Sequence, residues 1–410
     1  MFYGETTLNS KNNNTLQKLT TPLSLLSLAL SSVLSGSVLA QQADTSADET
    51  SKIEKITVTA TKRAQVIYEV PVAISAFSGE ALAQQGITDL TDVGKFVPNL
   101  NVTGFSAGHT SSANPFIRGI GLQDHLITTD PGVSVYVDGV YLGRQVGQNW
   151  NLNNIARIEV LRGPQGTRYG ANALAGLIYL KSNDPTDVFE HGAEVSLGND
   201  DLQTFSGFSS GPLTDSGKLL YRVSLQQHQQ NGYRDNIYLN KEDTNGRDEF
   251  TGRAKLRWYA TDDLQLDLTL LHADFDNGYD VWSLTNDPTN TLSDQPGVDS
   301  QRTTGAGFKA TYSGAEQFEL TSLTSFANTD HHYSYDGDWA NPEYWASKQC
   351  EEGGNVSPCQ YDYFWDKTGQ RKTLSQEFRL SSTDQGRIFA GSTDWLLGVY
   401  AMNLKEDNQL

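Results

Sequence analysis

The side chains that most often perform chemistry do not form a catalytic set in this sequence. Seven histidines are scattered over 410 residues, and the pair His331-His332 begins a polar segment, where solvated side chains are expected rather than a metal site. Gly119-Ile120-Gly121 lacks the strand-to-helix context of a nucleotide-binding loop and is interpreted as a turn. Cys350 and Cys359 are too few for a four-ligand zinc site. We therefore predict no enzyme activity, no cofactor and no metal.

Charge and hydropathy exclude two further classes. The formal net charge of -19 is opposite to the basic surface that nucleic-acid binding requires. After the first forty residues, no apolar run is long enough for a membrane-spanning helix. Low mean hydropathy with many aromatic residues suits a soluble β protein, or a membrane barrel whose strands alternate apolar and polar faces.

Two arginines are placed where a charge partner is expected. Arg118 and Arg162 each follow an apolar residue and precede a glycine. Arg162 ends the β-rich run Arg157–Leu161, and a second run, Leu177–Leu180, follows a glycine-rich turn. Arginines this dense in a strand-turn segment predict carboxylate partners, because an unpaired buried charge is costly.

The elements around these arginines predict a compact α+β domain. Ser78–Gln85 has helical composition, with Ser78 as the N-cap. Asp138-Gly139 is a strong hairpin signal between two valine-rich runs. Two polar loops, Gly104–Pro115 and Leu122–Pro131, interrupt the domain, and each contains one histidine.

The N-terminus has the features of a secretory signal. Met1–Ala40 contains the apolar core Leu23–Leu34 and ends in small residues. Gln41–Ser51 is polar and acidic, as in a flexible tether. Ile56–Ala60 then alternates apolar residues with threonine, which favours an extended strand. A strand-prone segment on a tether is suited to pairing with the edge of another sheet.

From His191 onward, apolar and polar residues alternate as in strands with one lipid-facing side. Leu264–Thr269 places three leucines on one face and polar residues on the other. Tight connectors at Thr261–Asp263 and Ser313–Glu316 alternate with long ones, as in outer-membrane barrels. The other predicted strands are Lys218–Gln226, Glu249–Tyr259, Phe308–Tyr312, Gln317–Phe326, Thr373–Ser381 and Trp395–Met402. The predicted long loops are Asn231–Asp248, Asp274–Ser300 and His331–Arg371.

Together these stretches resemble the TonB-dependent outer-membrane receptors. The most specific is Ile158-Glu159-Val160-Leu161-Arg162-Gly163-Pro164-Gln165-Gly166-Thr167, which resembles the end of the family's plug domain. The sequence departs from the family at Ala175-Gly176, where paired glycines are usual, and at Tyr179, near a usual asparagine. Further similar stretches are Val70–Ile74, Phe96–Leu100, Ile117–Gly121, Pro131–Tyr141, Ser375–Leu380 and Asp394–Tyr400.

The resemblance implies a mainly β protein with an N-terminal α+β plug followed by antiparallel transmembrane β-barrel strands. The expected organisation is a signal peptide at 1–40, a flexible tether with the TonB box at 41–67, the plug at 68–186 and barrel strands at 187–410. About nine strands are counted, whereas plugged transporters close with about 22. The chain is therefore expected to be the N-terminal part of a longer receptor, with an incomplete barrel.

The resemblance also implies partners and site residues. The periplasmic TonB protein would grip the box by strand addition, outer-membrane lipid would surround the barrel, and Arg118 and Arg162 would hold the plug through wall carboxylates, with Glu377 as one of them. The predicted box residues are Ile56, Thr57, Val58, Thr59 and Ala60. The predicted ligand contacts are Phe105, His109, Gln123 and His125.

The expected function is energised uptake of a scarce nutrient, with a ferric siderophore as the expected cargo. Cobalamin, haem and an oligosaccharide are alternative cargoes. A signalling transducer would need an extra periplasmic domain before the box, and Gln41–Lys52 is too short for one.

The aromatic-rich segment His331–Arg371 predicts a binding surface, a small loop core or part of an interfacial girdle. Cys350 and Cys359 could close a small loop within it.

Overall fold

The computed structural model describes residues 56–59, 62–105, 109–122, 130–143, 152–285, 287–353 and 355–410. The predicted signal peptide, the Gln41–Ser51 tether, Ala60, Gln123 and His125 lie outside these residues. Within them, no helix combines the length and the apolar composition that a membrane crossing requires.

The first part of the described chain is an α+β unit, called the inner domain below (residues 56–182). Its strands are β1 Thr57–Val58, β2 Gln65–Val66, β3 Ile74–Ser78, β4 Leu100–Phe105, β5 His109–Ile117, β6 Val133–Val137, β7 Val140–Tyr141, β8 Ile155–Arg162 and β9 Gly176–Ser182. Its helices are α1 Gly79–Gln84, α2 Leu90–Val93 and α3 Gly166–Tyr169, with a 3-10 turn at Ile67–Glu69.

The core of the inner domain is a mixed sheet in the order β3-β8-β9-β6-β7. β6 and β9 run parallel, and every residue of β6 is buried. Two local predictions are confirmed. Ser78 caps α1 by accepting a hydrogen bond from the Ala81 N–H at 3.3 Å. Asp138 and Gly139 form the β6–β7 turn with φ of 51° and 87°, a left-handed pair that suits glycine and aspartate.

The remaining strands form a large antiparallel sheet and small sheets in its loops. They are β10 Glu190–Leu197, β11 Gln203–Pro212, β12 Leu219–Gln230, β13 Asp235–Asn236, β14 Lys241–Glu242, β15 Arg247–Thr261, β16 Leu264–Tyr279, β17 Asn290–Thr291, β18 Gly297–Tyr312, β19 Phe318–Asp336, β20 Gln349–Glu352, β21 Asn355–Pro358, β22 Phe364–Ser382 and β23 Leu396–Gln409, with helix α4 at Pro342–Ala346.

The large sheet, called the wall sheet below, has the order β10-β11-β12-β15-β16-β18-β19-β22-β23. Its two faces differ as the alternation predicts. On β12, Arg222 and Ser224 point toward the inner domain and are buried, whereas Val223 and Leu225 are exposed on the outer face. An apolar outer band with a polar interior is the arrangement of a membrane barrel wall.

The wall strands are longer than the sequence predicts, and the loops are correspondingly shorter. The predicted loop His331–Arg371 begins within β19, which continues to Asp336, and ends within β22, which starts at Phe364. Polar residues occupy both faces of these extensions, with the pair Asp330–Gln370 on one face and the pair Thr329–Arg371 on the other, so the alternation that identifies a lipid-facing strand is missing there.

The three longest connections of the wall sheet lie at one end. This loop end carries 231–246, 280–296 and 337–363, together with the short connection 198–202. The opposite end, called the short-turn end below, has the connections 213–218, 262–263, 313–317 and 383–395. Within the described residues, β10 and β23 each pair with one neighbour, so the wall sheet does not close. The mainly β class with an α+β domain and unclosed barrel strands is thus confirmed.

Candidate functional site at the inner domain and the wall

The segment Ile56–Thr59 is docked on the inner domain. β1 pairs with β2 in antiparallel register, with Thr57 opposite Val66. Val58 is fully buried in an apolar cluster with Leu161 and Leu177, while the Thr57 side chain is exposed. The predicted strand therefore exists, but its inner face is packed rather than free.

The outer edge of β1 is capped by a carboxylate. The carbonyl of Ile56 points toward β2 and accepts a hydrogen bond from the N–H of Ile67 at 3.0 Å. Because backbone groups of successive strand residues point to opposite sides, the N–H groups of Thr57 and Thr59 point away from β2. The Thr59 N–H donates to both oxygens of Glu159, at 3.0 and 2.9 Å, and its hydroxyl donates at 3.1 Å. Glu159 is fully buried and also accepts from Arg157 Nε at 2.7 Å.

Glu159 occupies the place that the carbonyl of an added strand would take. A charged acceptor with several donors is among the stronger hydrogen-bonded groups in proteins. Its position between Ile158 and Val160 was available from the sequence, because a carboxylate inside an apolar run signals a buried partner. The sequence did not show that this partner is the backbone of Thr59.

We expect Glu159→Ala to release the N-terminal segment. Thr59 would lose its acceptor, so labelling of a Val58→Cys reporter, which is fully buried in the docked state, by a membrane-impermeant maleimide should accelerate by about tenfold or more, the effect of losing bonds to a charged group. The native cysteines are joined to each other and do not compete. Glu159→Gln should give an intermediate rate. An unchanged rate in Glu159→Ala, with protease resistance of the inner domain intact, would contradict the capping role.

Two cations just after β1 connect the segment to the wall. Lys62 Nζ lies 3.0 Å from Glu377 Oε2 on β22, and 4.1 Å above the Tyr169 ring. Burial lowers the pKa of Lys62, although the Glu377 carboxylate opposes that effect. Arg63 donates to Ser382 Oγ at 2.8 Å and to the Trp395 carbonyl at 2.6 Å. The segment is therefore attached at the short-turn end.

The partner of Glu377 differs from the predicted one. Its oxygens lie against Lys62 and Arg379, the latter at 2.7 Å, rather than against Arg118 or Arg162. Arg162 instead donates to the Pro98 carbonyl at 3.2 Å, within the inner domain. Arg118 occupies the turn after β5 with a φ of 54°. The resemblance implied that Glu377 pairs with a cation of the plug, but the sequence gave no indication that this cation is Lys62.

The prediction placed the cations on the inner domain and the carboxylates on the wall, but the most buried ion pair between the two has the reverse arrangement. Lys255 on β15 lies 2.9 Å from Asp138, whose side chain is 2% exposed. Burial would raise the pKa of Asp138, but Lys255, Lys181 and a hydrogen bond from Ser182 together hold it below its usual range. Lys255 also lies 3.3 Å from Asp184 in the linker to the wall. Here the wall supplies the cation and the inner domain supplies the carboxylate.

A polar cavity of about 790 Å³ lies between the inner domain and the wall near the short-turn end. Nine Lys or Arg and seven Asp or Glu residues of the described chain line it. Lys62 and Arg63 are among them, so the N-terminal segment forms part of its boundary. The cavity therefore joins the docked segment, Glu377 and the Asp138–Lys255 pair in one site.

The predicted ligand contacts are only partly within the described residues. Phe105 and His109 are paired across the β4–β5 ladder, while Gln123 and His125 fall outside the described ranges. Their role stays a prediction.

The aromatic-rich segment divides between a packed core and an exposed surface. Tyr279 and Tyr333 pack edge to face at 5.1 Å and are buried, and Trp282 stacks on Trp339 at 5.1 Å. Tyr361 and Tyr363 are about half exposed. A disulfide joins Cys350 to Cys359 in the same loop.

Comparison with known proteins matches the inner domain to one family. The model of the "TonB-dependent Receptor Plug Domain" matches residues 66–177. The "Iron-regulated outer membrane virulence protein" of Vibrio cholerae is 34% identical over 220 residues, covering 51% of this chain and 31% of that protein. The "Vitamin B12 transporter BtuB" of Vibrio vulnificus is 29% identical over 241 residues, covering 57% and 36%.

The fold of a solved receptor extends the match into the wall. The ferric yersiniabactin uptake receptor FyuA from Yersinia pestis superposes with a TM-score of 0.67 at 19% identity, over 82% of this chain and 49% of that one. This chain therefore spans about a third of the curated relatives' length and about half of the solved structure. The wall sheet and the inner domain correspond in fold to that receptor's architecture.

Proposed function

We propose, from the premise that this chain belongs to the TonB-dependent outer-membrane receptors, that the protein imports a scarce nutrient, with a ferric siderophore as cargo. The observation that carries this proposal is the docked segment Ile56–Thr59, which contains β1. It lies at the short-turn end, which is the periplasmic end in barrels of this type. Its outer edge is held by side chains alone, with Glu159 accepting from the Thr59 N–H and the Tyr169 hydroxyl donating to the Thr59 carbonyl at 3.2 Å, so a partner strand can replace these contacts.

Energy for import would come from a periplasmic TonB protein pulling on this strand. Ion pairs of Lys62 and Arg63 with the wall would break as the segment leaves, and the inner domain would stay attached through Asp138 and Lys255. The names of the relatives support iron as cargo, since the Vibrio cholerae protein is named for iron regulation. Cobalamin is the second candidate, because another relative is named as a vitamin B12 transporter.

An uptake panel tests the cargo. Cells that produce the full-length gene product in the outer membrane, and lack their own receptors, are given radiolabelled ferric hydroxamates, ferric catecholates, haem and cobalamin. We expect uptake of at least one ferric chelate that a protonophore abolishes. Uptake of cobalamin or haem alone would contradict the siderophore proposal and leave the transport proposal standing. Energy-independent uptake of every compound would contradict both.

A further inference from the structure

We propose that the 790 Å³ cavity is a transit site for an anionic cargo, and that Lys309 is its main contact; this rests on the proposed import function. Lys309 lies on β18 and lines the cavity with the ion pairs described above. In the part of the chain that the structure describes, it is the one lining cation with no carboxylate oxygen within 4.0 Å.

The carboxylate that is paired with Lys309 across the sheet already accepts hydrogen bonds from other side chains. Asp267 stands directly opposite Lys309 across the β16–β18 ladder. One oxygen of Asp267 accepts from Arg257 Nε at 2.6 Å, and the other accepts from Gln265 Nε2 at 2.7 Å. Lys309 is therefore left to face the cavity, where an anionic group of a cargo can supply the missing partner.

Several of the other carboxylates of the cavity are shared between cations. Asp138 lies near Lys255 and Lys181, and Glu377 lies between Lys62 and Arg379. The lining thus carries an excess of cations over carboxylates. A cavity of this volume is within the range of about 300–1,000 Å³ that holds small-molecule ligands.

The cation excess depends on the docked N-terminal segment. Lys62 and Arg63 supply two of the nine cations, so their withdrawal would leave equal numbers of cations and carboxylates. Their contacts with Glu377, Ser382 and the Trp395 carbonyl also hold the segment across one side of the cavity. The same movement would therefore weaken the hold on an anion and open its way to the periplasm.

This assignment predicts a cargo class. Ferric chelates that keep carboxylate or catecholate charge would bind in the cavity during transit, whereas a neutral cargo would gain nothing from Lys309. The site differs from the outer loops, because it lies at the short-turn half of the wall and contacts cargo only after initial binding.

Direct binding tests the site without relying on import. Lysines of the purified full-length protein are reductively methylated with ¹³C, and the Lys309 resonance is assigned by its absence in Lys309→Arg. Citrate serves as the probe anion. We expect the Lys309 signal to shift on titration and citrate to bind about tenfold more weakly in Lys309→Gln, the loss of one charge-assisted contact. Lys372→Gln, which removes an exposed cation from the same wall, is the matched control.

A second experiment measures transport in cells with the same Lys309 variants. For an anionic ferric chelate that the wild type imports, Lys309→Gln should keep surface binding and lower energised uptake about tenfold, while Lys309→Arg restores uptake. Citrate affinity equal in wild type and Lys309→Gln, or no shift of the Lys309 signal, would overturn the site. If no ferric chelate is imported by the wild type, the proposed function fails, and the citrate titration still decides whether the anion site exists.

Discussion

Replacing Lys255 with methionine should loosen the inner domain from the wall by about 3 kcal/mol, toward the lower end of the usual loss when one member of a buried pair is removed. Asp138 would keep Lys181 at 3.7 Å and the Ser182 hydroxyl at 2.6 Å, so it is not left wholly unpaired. The loss in unfolding free energy is measured by urea unfolding of the purified protein, with the protease susceptibility of the inner domain as the readout. Lys181→Met is the matched control and should cost less than half as much, because Lys181 is farther from Asp138 and more exposed.

The pH dependence of that loss follows from Asp138. Its pKa in the folded protein is below the usual value of 3.8, so its contribution to stability is present above about pH 4 and disappears as the pH falls through the folded-state pKa. The difference in unfolding free energy between wild type and Lys255→Met should therefore narrow below about pH 4. A difference that is the same at pH 7 and pH 3, or below about 0.5 kcal/mol at pH 7, would show that the pair does not hold the domains together.

Local sequence patterns predicted many of the strands and turns, because these patterns reflect conformational preferences of neighbouring residues. The alternation at Leu264–Thr269 identified a wall strand, and Asp138-Gly139 identified a turn, from backbone and burial preferences of adjacent residues. The extensions of β19 and β22 beyond the lipid-facing band were missed, since polar residues lie on both faces there, Asp330 and Gln370 on one and Thr329 and Arg371 on the other, and give no alternation.

The pairing of charges could not be predicted in the same way. Lys62 and Glu377 are 315 residues apart, and Lys255 and Asp138 are 117 apart. The resemblance implied that Glu377 is a wall carboxylate that pairs with the plug, but the choice of its cation depends on how the whole domain sits within the wall. The prediction assigned Arg162, whose guanidinium contacts a carbonyl of its own domain instead.

Proline substitutions in β1 should also have a large effect, on capture of this strand by a partner. The effect depends on which side of β1 the partner would use. Val58 is buried, so a proline there would disturb the docked state as well as any strand addition. Thr57 is a sharper site, because its side chain is exposed and its N–H faces away from β2. Proline is tolerated on an edge strand when the missing N–H faces outward. Thr57→Pro should therefore leave the docked state in place and remove one donor from the edge offered to a partner.

Thr57→Ala is the matched control, since it shortens the side chain and keeps the donor. Loss of one ladder hydrogen bond leaves a partner carbonyl unsatisfied, so we expect Thr57→Pro to weaken capture by the TonB protein about tenfold or more, and Thr57→Ala to change it little. Pull-down of the purified receptor by the TonB periplasmic domain measures this directly.

Surface binding and energised uptake of one ferric chelate, measured in the same cells for wild type, Thr57→Ala and Thr57→Pro, test most directly the claim that this strand is handed to a periplasmic partner. We expect equal surface binding in all three, uptake close to wild type for alanine, and uptake reduced at least about tenfold for proline. Uptake that survives Thr57→Pro would contradict strand addition at this edge, and surface binding that falls together with uptake would show that the segment only stabilises the fold.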